Sequence, residues 1–171
     1  NIKYDGKIIY QSKNIKEHKK IINQLIDKNS AYKCFHTEDE IVELKKNNIK
    51  FKSKWRDKID HPKNSQFCVR IKSPIDGQTI INDKIQGKVK VENKELDDFV
   101  IMRSDGSPTF LLSSAVDDFL MSVTDIIRGD DHLTNSFRQM VIFKYLDYQP
   151  TFSHMPLIHN ENNEKLSKRH N

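Results

Sequence analysis

Two spacings of apolar residues alternate along the chain. Ile15, Ile21, Ile22, Leu25 and Ile26 recur at mostly helical spacing, which predicts a first helix over 15–27, closed by Asn29-Ser30. The run Ala31-Tyr32-Lys33-Cys34-Phe35 predicts a short strand. Thr37, with Glu40 three residues later, forms a capping box and opens a second helix with Ile41 and Leu44 on its small apolar face. Apolar and polar residues then alternate over 67–72, the pattern of a half-buried strand, and Ser73-Pro74-Ile75-Asp76-Gly77 reads as a turn. Further strands are predicted at 79–81 and 88–91, with Gly87 between them, and the last strand of this section begins within 96–103. Short strands without intervening helices imply a small, largely antiparallel sheet. The lysines on these strands form either a phosphate-facing surface or a solvated face, and the solvated face is the reading for any single one.

The pattern changes after Pro108. An apolar helix is predicted from Phe110 to Leu120, then a short buried strand over 123–127 ending in Arg128-Gly129. Thr134 is placed as the cap of a helix running to about Leu146, with Phe137, Met140, Val141 and Tyr145 on one face. Pro156-Leu157-Ile158 reads as another apolar strand, followed by a polar turn over 160–164. Strands alternating with helices imply a parallel α/β sheet. No internal repeat or low-complexity linker interrupts the chain.

Composition narrows the class. The 171 residues suffice for one substantial core or two small ones. No apolar run is long enough to span a bilayer, and no charged leader precedes an apolar segment, so neither a membrane nor export is expected. Cys34 and Cys68 give no disulfide framework, and a reduced, cytoplasmic chain is the expectation. The net charge of +5 and pI near 9.1 suit a nucleic-acid partner, although a chain rich in Lys, Asn and Ile throughout would also be basic.

Ligands of an open parallel sheet bind beyond the carboxyl ends of its strands. Arg128 lies at one such end and the residues 165–169 lie beyond another, so both are expected at one crevice. A guanidinium there can hold a carboxylate. Asp130, Asp131 and His132 are possible metal ligands, but adjacent residues rarely converge on one ion, and Gly129 before a helix suits a βα turn better.

Three pieces in this order, Asp117-Asp118-Phe119-Leu120, Arg128-Gly129-Asp130-Asp131-His132-Leu133 and Lys165-Leu166-Ser167-Lys168-Arg169, resemble the bacterial glutamyl-tRNA synthetases, class I aminoacyl-tRNA synthetases. The resemblance implies an α/β fold, part of a class I synthetase Rossmann-like parallel sheet with an inserted α+β subdomain that binds the tRNA acceptor stem. Residues 1–30 would be the remainder of the first nucleotide-binding half, 31–107 the insertion, and 108–171 the second half, ending at the signature loop. The implied substrates are glutamate, ATP with Mg²⁺ and tRNA(Glu), and the implied reaction is adenylation of glutamate and its transfer to the tRNA 3′ end.

The same resemblance assigns roles. Lys165, Leu166, Ser167, Lys168 and Arg169 form the ATP loop, with Lys168 catalytic and Lys165 assisting. Asp131 and His132 lie on the adenosine side, and Arg128, Phe110 and Ser114 hold glutamate. Relatives usually carry Tyr and Asn where Phe110 and Ser114 stand, and Gly where Asn171 stands. Some relatives bind zinc through closely spaced cysteines. Cys34 and His36 stand at the first pair and nothing in 51–56 supplies a second, so no zinc is expected and Cys34 reads as a small core residue. The N-terminal class I motif and an anticodon-binding domain are not in these residues. The expectation is therefore a piece of a longer ligase, inactive alone. Two alternatives stay open: a truncated paralogue that glutamylates a modified tRNA base, and a non-catalytic RNA-binding module of the same fold.

Overall fold

The computed structural model of the chain describes residues 4, 6, 8–46, 53–162 and 164–166. The first predicted helix forms as α1, Ile15–Asp27, and turns His18, Ile21, Ile22 and Leu25 inward. Strand β1, Ala31–Cys34, follows directly. Helix α2, Glu38–Lys46, opens with the predicted box. There the Thr37 N–H donates to Glu40 Oε2 (3.0 Å) and the Glu40 N–H to Thr37 Oγ1 (3.2 Å).

β2, Cys68–Ile71, and β5, Val100–Met102, complete an antiparallel sheet of order β1-β2-β5. As the central strand, β2 is buried on both faces instead of one, and Arg70 and Lys72 are buried with it. Each is paired: Arg70 Nη1 donates to Asp98 O (2.6 Å), and Lys72 Nζ donates to Asn29 Oδ1 (2.8 Å) and Asp57 Oδ1 (2.9 Å). The solvated-face reading fails for Lys72 and holds for Lys88 and Lys90, which are exposed. β3, Gln78–Asp83, and β4, Gly87–Glu92, form a separate antiparallel hairpin rather than extending that sheet.

Cys34 is opposite Cys68 across β1 and β2 and is only 1% exposed, so it does sit in the core. Its Sγ lies 3.7 Å from Ser53 Oγ, and its interaction with Cys68 lowers the Cys34 thiol and raises the Cys68 thiol relative to their ordinary values.

The second half contains α3, Phe110–Leu120; β6, Asp125–Gly129; α4, Leu133–Tyr145; and β7, Thr151–Met155. β6 and β7 are parallel, as the alternation of strand and helix implied. Three local expectations are corrected. The strand predicted over 123–127 lies at Asp125–Gly129 and is not buried, since Ile127 is 67% exposed. Thr134 is inside α4, which starts at Leu133 after a 3-10 turn over Asp130–His132. The last strand is Thr151–Met155, while 156–158 is irregular and Ile158 is 74% exposed.

The three long helices α1, α3 and α4 stop alike without glycine. Asn29 (φ 55°), Ser122 (φ 53°) and Asp147 (φ 53°) adopt the left-handed conformation just past each end. The next N–H reaches back across the last turn: Ser30 to Leu25 O (2.8 Å), Val123 to Asp118 O (3.0 Å) and Tyr148 to Phe143 O (3.0 Å). One apolar cluster among the described residues then joins α1, α3, α4 and strands of all three sheets, with Ile22, Ile71, Ile101, Leu112, Ile142 and Phe143 fully buried.

Candidate active site

Arg128 and His154 are register partners of the parallel pair β6–β7. The Arg128 Nε donates to His154 Nε2 (3.2 Å), and its Nη2 donates to Ser136 Oγ (2.6 Å) and Gln139 Oε1 (2.7 Å). Ser136 and Gln139 lie three residues apart on α4, so one helix face supplies both. The guanidinium also lies over the Phe152 ring, 5.6 Å from its centroid. None of these partners is a carboxylate, and among the described residues none stands within ion-pair distance. Burial holds the guanidinium below its ordinary pKa, and the field of Asp118 opposes this. Burial also pushes the Asp118 carboxyl up, with Arg128 opposing. Both N–H groups of Nη1 remain without an acceptor among the described residues.

The network continues to α3. Gln139 Nε2 donates to Ser114 Oγ (2.8 Å), which donates to Phe110 O (2.9 Å). Ser114 is thus linked to Arg128 through Gln139. Phe110 enters only by its carbonyl, and its side of the helix is open, with the residue 55% exposed.

Beyond the carboxyl ends of β6 and β7 is an open cleft of about 460 Å³. Arg128, Gly129, Leu157, Ile158, Lys165 and Leu166 line it together with Ile127, Met155 and Pro156. A short return brings the first signature residues there: Asn160 N–H donates to Glu164 O (2.9 Å) and Leu166 N–H to Ile158 O (2.9 Å). Lys165 Nζ reaches Asp131 Oδ2 at 2.5 Å, which holds the Asp131 carboxyl below the usual carboxylate range. His132 pairs with Asn135 (3.3 Å) at the start of α4. A Cβ at Gly129 would lie 2.6 Å from Asp131 Oδ1 and 2.9 Å from Leu157 Cδ2, so both side-chain ends would have to shift to admit one. Ser167, Lys168 and Arg169 lie outside the described residues.

The structure therefore groups Arg128 with Ser114, Asp131 with Lys165, and Arg128 with Lys165 and Leu166 around one cleft. Sequence reasoning missed Ser136, Gln139 and His154. The available signal was Phe152 alternating with His154 in a strand, which puts an imidazole on the buried face.

All 171 residues match the family model described as tRNA synthetases class I (E and Q), catalytic domain. The chain belongs to this class I synthetase family. Within the family, it is 44% identical to glutamate–tRNA ligase 2 of Bartonella quintana, covering 99% of this chain and 38% of that protein. It is 47% identical to glutamate–tRNA ligase 2 of Ehrlichia chaffeensis, covering 99% and 38%. A crystal structure of a glutamate tRNA ligase from Elizabethkingia meningosepticum, in complex with its amino acid, superposes with a TM-score of 0.82 at 26% identity, over 96% of this chain and 37% of that one. The chain thus spans a little over a third of the length of these synthetases, and it shares their Rossmann-like α/β fold. No helix among the described residues is long and apolar enough to cross a membrane.

Proposed function

We propose that this chain is part of a cytoplasmic glutamate–tRNA ligase, and that Arg128 holds a carboxylate of glutamate. The observation that carries this reading is a half-buried guanidinium whose partners are all neutral, on a residue that lines the cleft. A desolvated cation without a counter-ion favours an anionic ligand. Ser114, Phe110 and Gln139 frame the same ligand. The apolar cleft wall beside Asp131 and His132 suits a nucleobase and its ribose, with Lys165 and Lys168 on the phosphates. In the proposed domain organisation, 1–30 and 108–171 contribute to the two nucleotide-binding halves and 31–107 meets the acceptor stem.

In the first step a glutamate carboxylate oxygen bonds to the α-phosphorus of ATP, and the bond from that phosphorus to the bridging oxygen breaks, releasing pyrophosphate. Negative charge grows on the phosphoryl oxygens, where the Lys168 ammonium stabilises the transition state more than bound ATP. In the second step a hydroxyl of the tRNA 3′-terminal ribose attacks the mixed anhydride and AMP leaves. Mg²⁺ fits best as a companion of the nucleotide phosphates. Among the described residues no three His, Cys, Asp or Glu side chains are grouped to hold an ion.

The test is ATP–pyrophosphate exchange by the longer protein that carries this chain, with glutamate and tRNA(Glu). Glutamate-dependent exchange and glutamylation of the tRNA 3′ end are expected. Exchange with glutamylation of a tRNA base instead points to the paralogue, and tRNA binding without exchange points to an RNA-binding module.

A further inference from the structure

The buried dyad Asp83–His154 has no role in the chemistry above, yet it touches Arg128. Asp83 ends β3 and is 5% exposed, and His154 is fully buried. The Asp83 Oδ1 accepts the N–H groups of Ile85 (2.9 Å) and Gln86 (2.9 Å), which closes the hairpin turn on its own carboxylate. The same carboxylate accepts the His154 backbone N–H (3.1 Å) and faces His154 Nδ1 at 2.6 Å. Lys84 N–H donates to Phe152 O (2.9 Å), and Gln86 Nε2 donates to His154 O (3.1 Å). The tip of the β3–β4 hairpin is therefore fastened along β7.

The Arg128 and Asp83 contacts together select one state of the ring. Arg128 Nε–H can only donate, so His154 Nε2 must accept. Asp83 can only accept when ionised, so Nδ1 must carry the proton. Ser136 carries one hydroxyl hydrogen, which in this tautomer goes to His154 Nε2 (2.8 Å) in preference to His132 O (3.3 Å). An imidazolium, or the Nε2–H tautomer, would set N–H against N–H at Arg128.

We infer that Asp83 and His154 are positioning residues for Arg128, setting one imidazole tautomer so that Nε2 holds the guanidinium with its Nη1 edge toward the ligand. The hairpin turn, 71 residues from His154 in sequence, thereby controls the orientation of the amino-acid arginine. Misplacing such a group by about 1 Å can cost on the order of 10²-fold in rate. The inference rests on the proposed role of Arg128, and its test separates the two.

The first measurement is the ¹⁵N spectrum of the histidine rings in the full-length protein at pH 7, with His154 assigned by comparison with His154→Gln. A protonated Nδ1 and a bare Nε2 are expected. An Nε2–H tautomer or an imidazolium overturns the inference before any variant at Asp83 is made. The second is a double-mutant cycle on the glutamate KM, using the mild Asp83→Asn and the stronger Asp83→Leu. Asp83→Leu is expected to raise the glutamate KM at least about tenfold with the ATP KM unchanged, and Asp83→Asn to keep part of the function through its amide oxygen. In an Arg128→Ala background neither substitution adds further loss. Additive losses, or equal loss for both substrates, make the dyad merely structural and overturn the inference. If Arg128→Ala alone leaves glutamate use intact, it is the role of Arg128 that fails.

Discussion

Arg128→Met separates an arginine kept for a ligand from one kept for the fold. The substitution removes three hydrogen bonds, to His154 Nε2, Ser136 Oγ and Gln139 Oε1. The partners are largely still satisfied. Ser136 Oγ and His154 Nε2 keep each other at 2.8 Å, and Gln139 Nε2 keeps Ser114. Only Gln139 Oε1 loses its donor, a cost of about 1–3 kcal/mol if it stays dry. The contact with the Phe152 ring adds roughly 0.5–1 kcal/mol. Against this, Met fills the stem's volume and relieves the desolvation of a half-buried cation with no carboxylate in ion-pair range, part of a penalty that reaches several kcal/mol for a fully buried ion. The net change in stability is therefore expected within about 1 kcal/mol of zero. A ligand carboxylate loses a charge-assisted bond of about 1.5–3 kcal/mol, or roughly 10- to 100-fold in affinity. Urea denaturation of the variant and calorimetric titration with glutamate measure the two quantities on the same protein. A loss of stability above about 3 kcal/mol with glutamate affinity unchanged would refute the reasoning and make Arg128 a structural residue.

Other predictions address acid stability, the cleft and the chemical step. Burial pushes the Asp83 carboxyl up, but donors from Gln86, the His154 ring and Ile85 outweigh it and hold it at about 2. A depressed carboxylate stabilises the fold above its unfolded pKa of about 3.9 and loses that contribution as pH falls toward 2. Asp83→Asn should therefore cost roughly 2 kcal/mol at pH 7 and flatten the acid limb between about pH 4 and 2, as read by urea midpoints across pH; an unchanged acid limb contradicts this. Gly129→Ala should displace the Asp131 carboxylate from Lys165 at a cost of at most about 1 kcal/mol, because only side-chain ends have to move. ATP affinity should fall with stability, and a variant matching the native protein in both shows that the Cβ is tolerated. Lys168→Ala in the longer protein should slow single-turnover adenylate formation on the order of 10²–10³-fold with little change in ATP binding. The opposite split would make the loop a phosphate anchor.

Local order was legible wherever short-range chemistry decides it. The α1 and α3 bounds followed from apolar spacing, and the capping box at Thr37 and Glu40 formed as read. The helix stops were legible only in part, since Asn29, Ser122 and Asp147 take a conformation for which glycine is the usual signal. Leu157 and Ile158 misled because an apolar run has the same pattern whether it faces a core or an open cleft. The strand beside it, Thr151–Met155, carries Ser153 and His154 and was not among the predicted strands.

The amino-acid sequence by itself determined the helix and strand periods, the antiparallel and parallel halves, and the landmarks around Arg128 and Lys165, because these depend on neighbours within a few residues. Only the tertiary structure decided that Lys72 is buried on Asn29 and Asp57 and that Asp131 meets Lys165. It alone also brought Asp83, His154, Ser136 and Gln139 around one guanidinium. Those partners come from the β3–β4 turn, β7 and α4. A buried charge is tolerated only where packing delivers acceptors from remote segments, and that delivery is a property of the assembled fold, which no local pattern encodes.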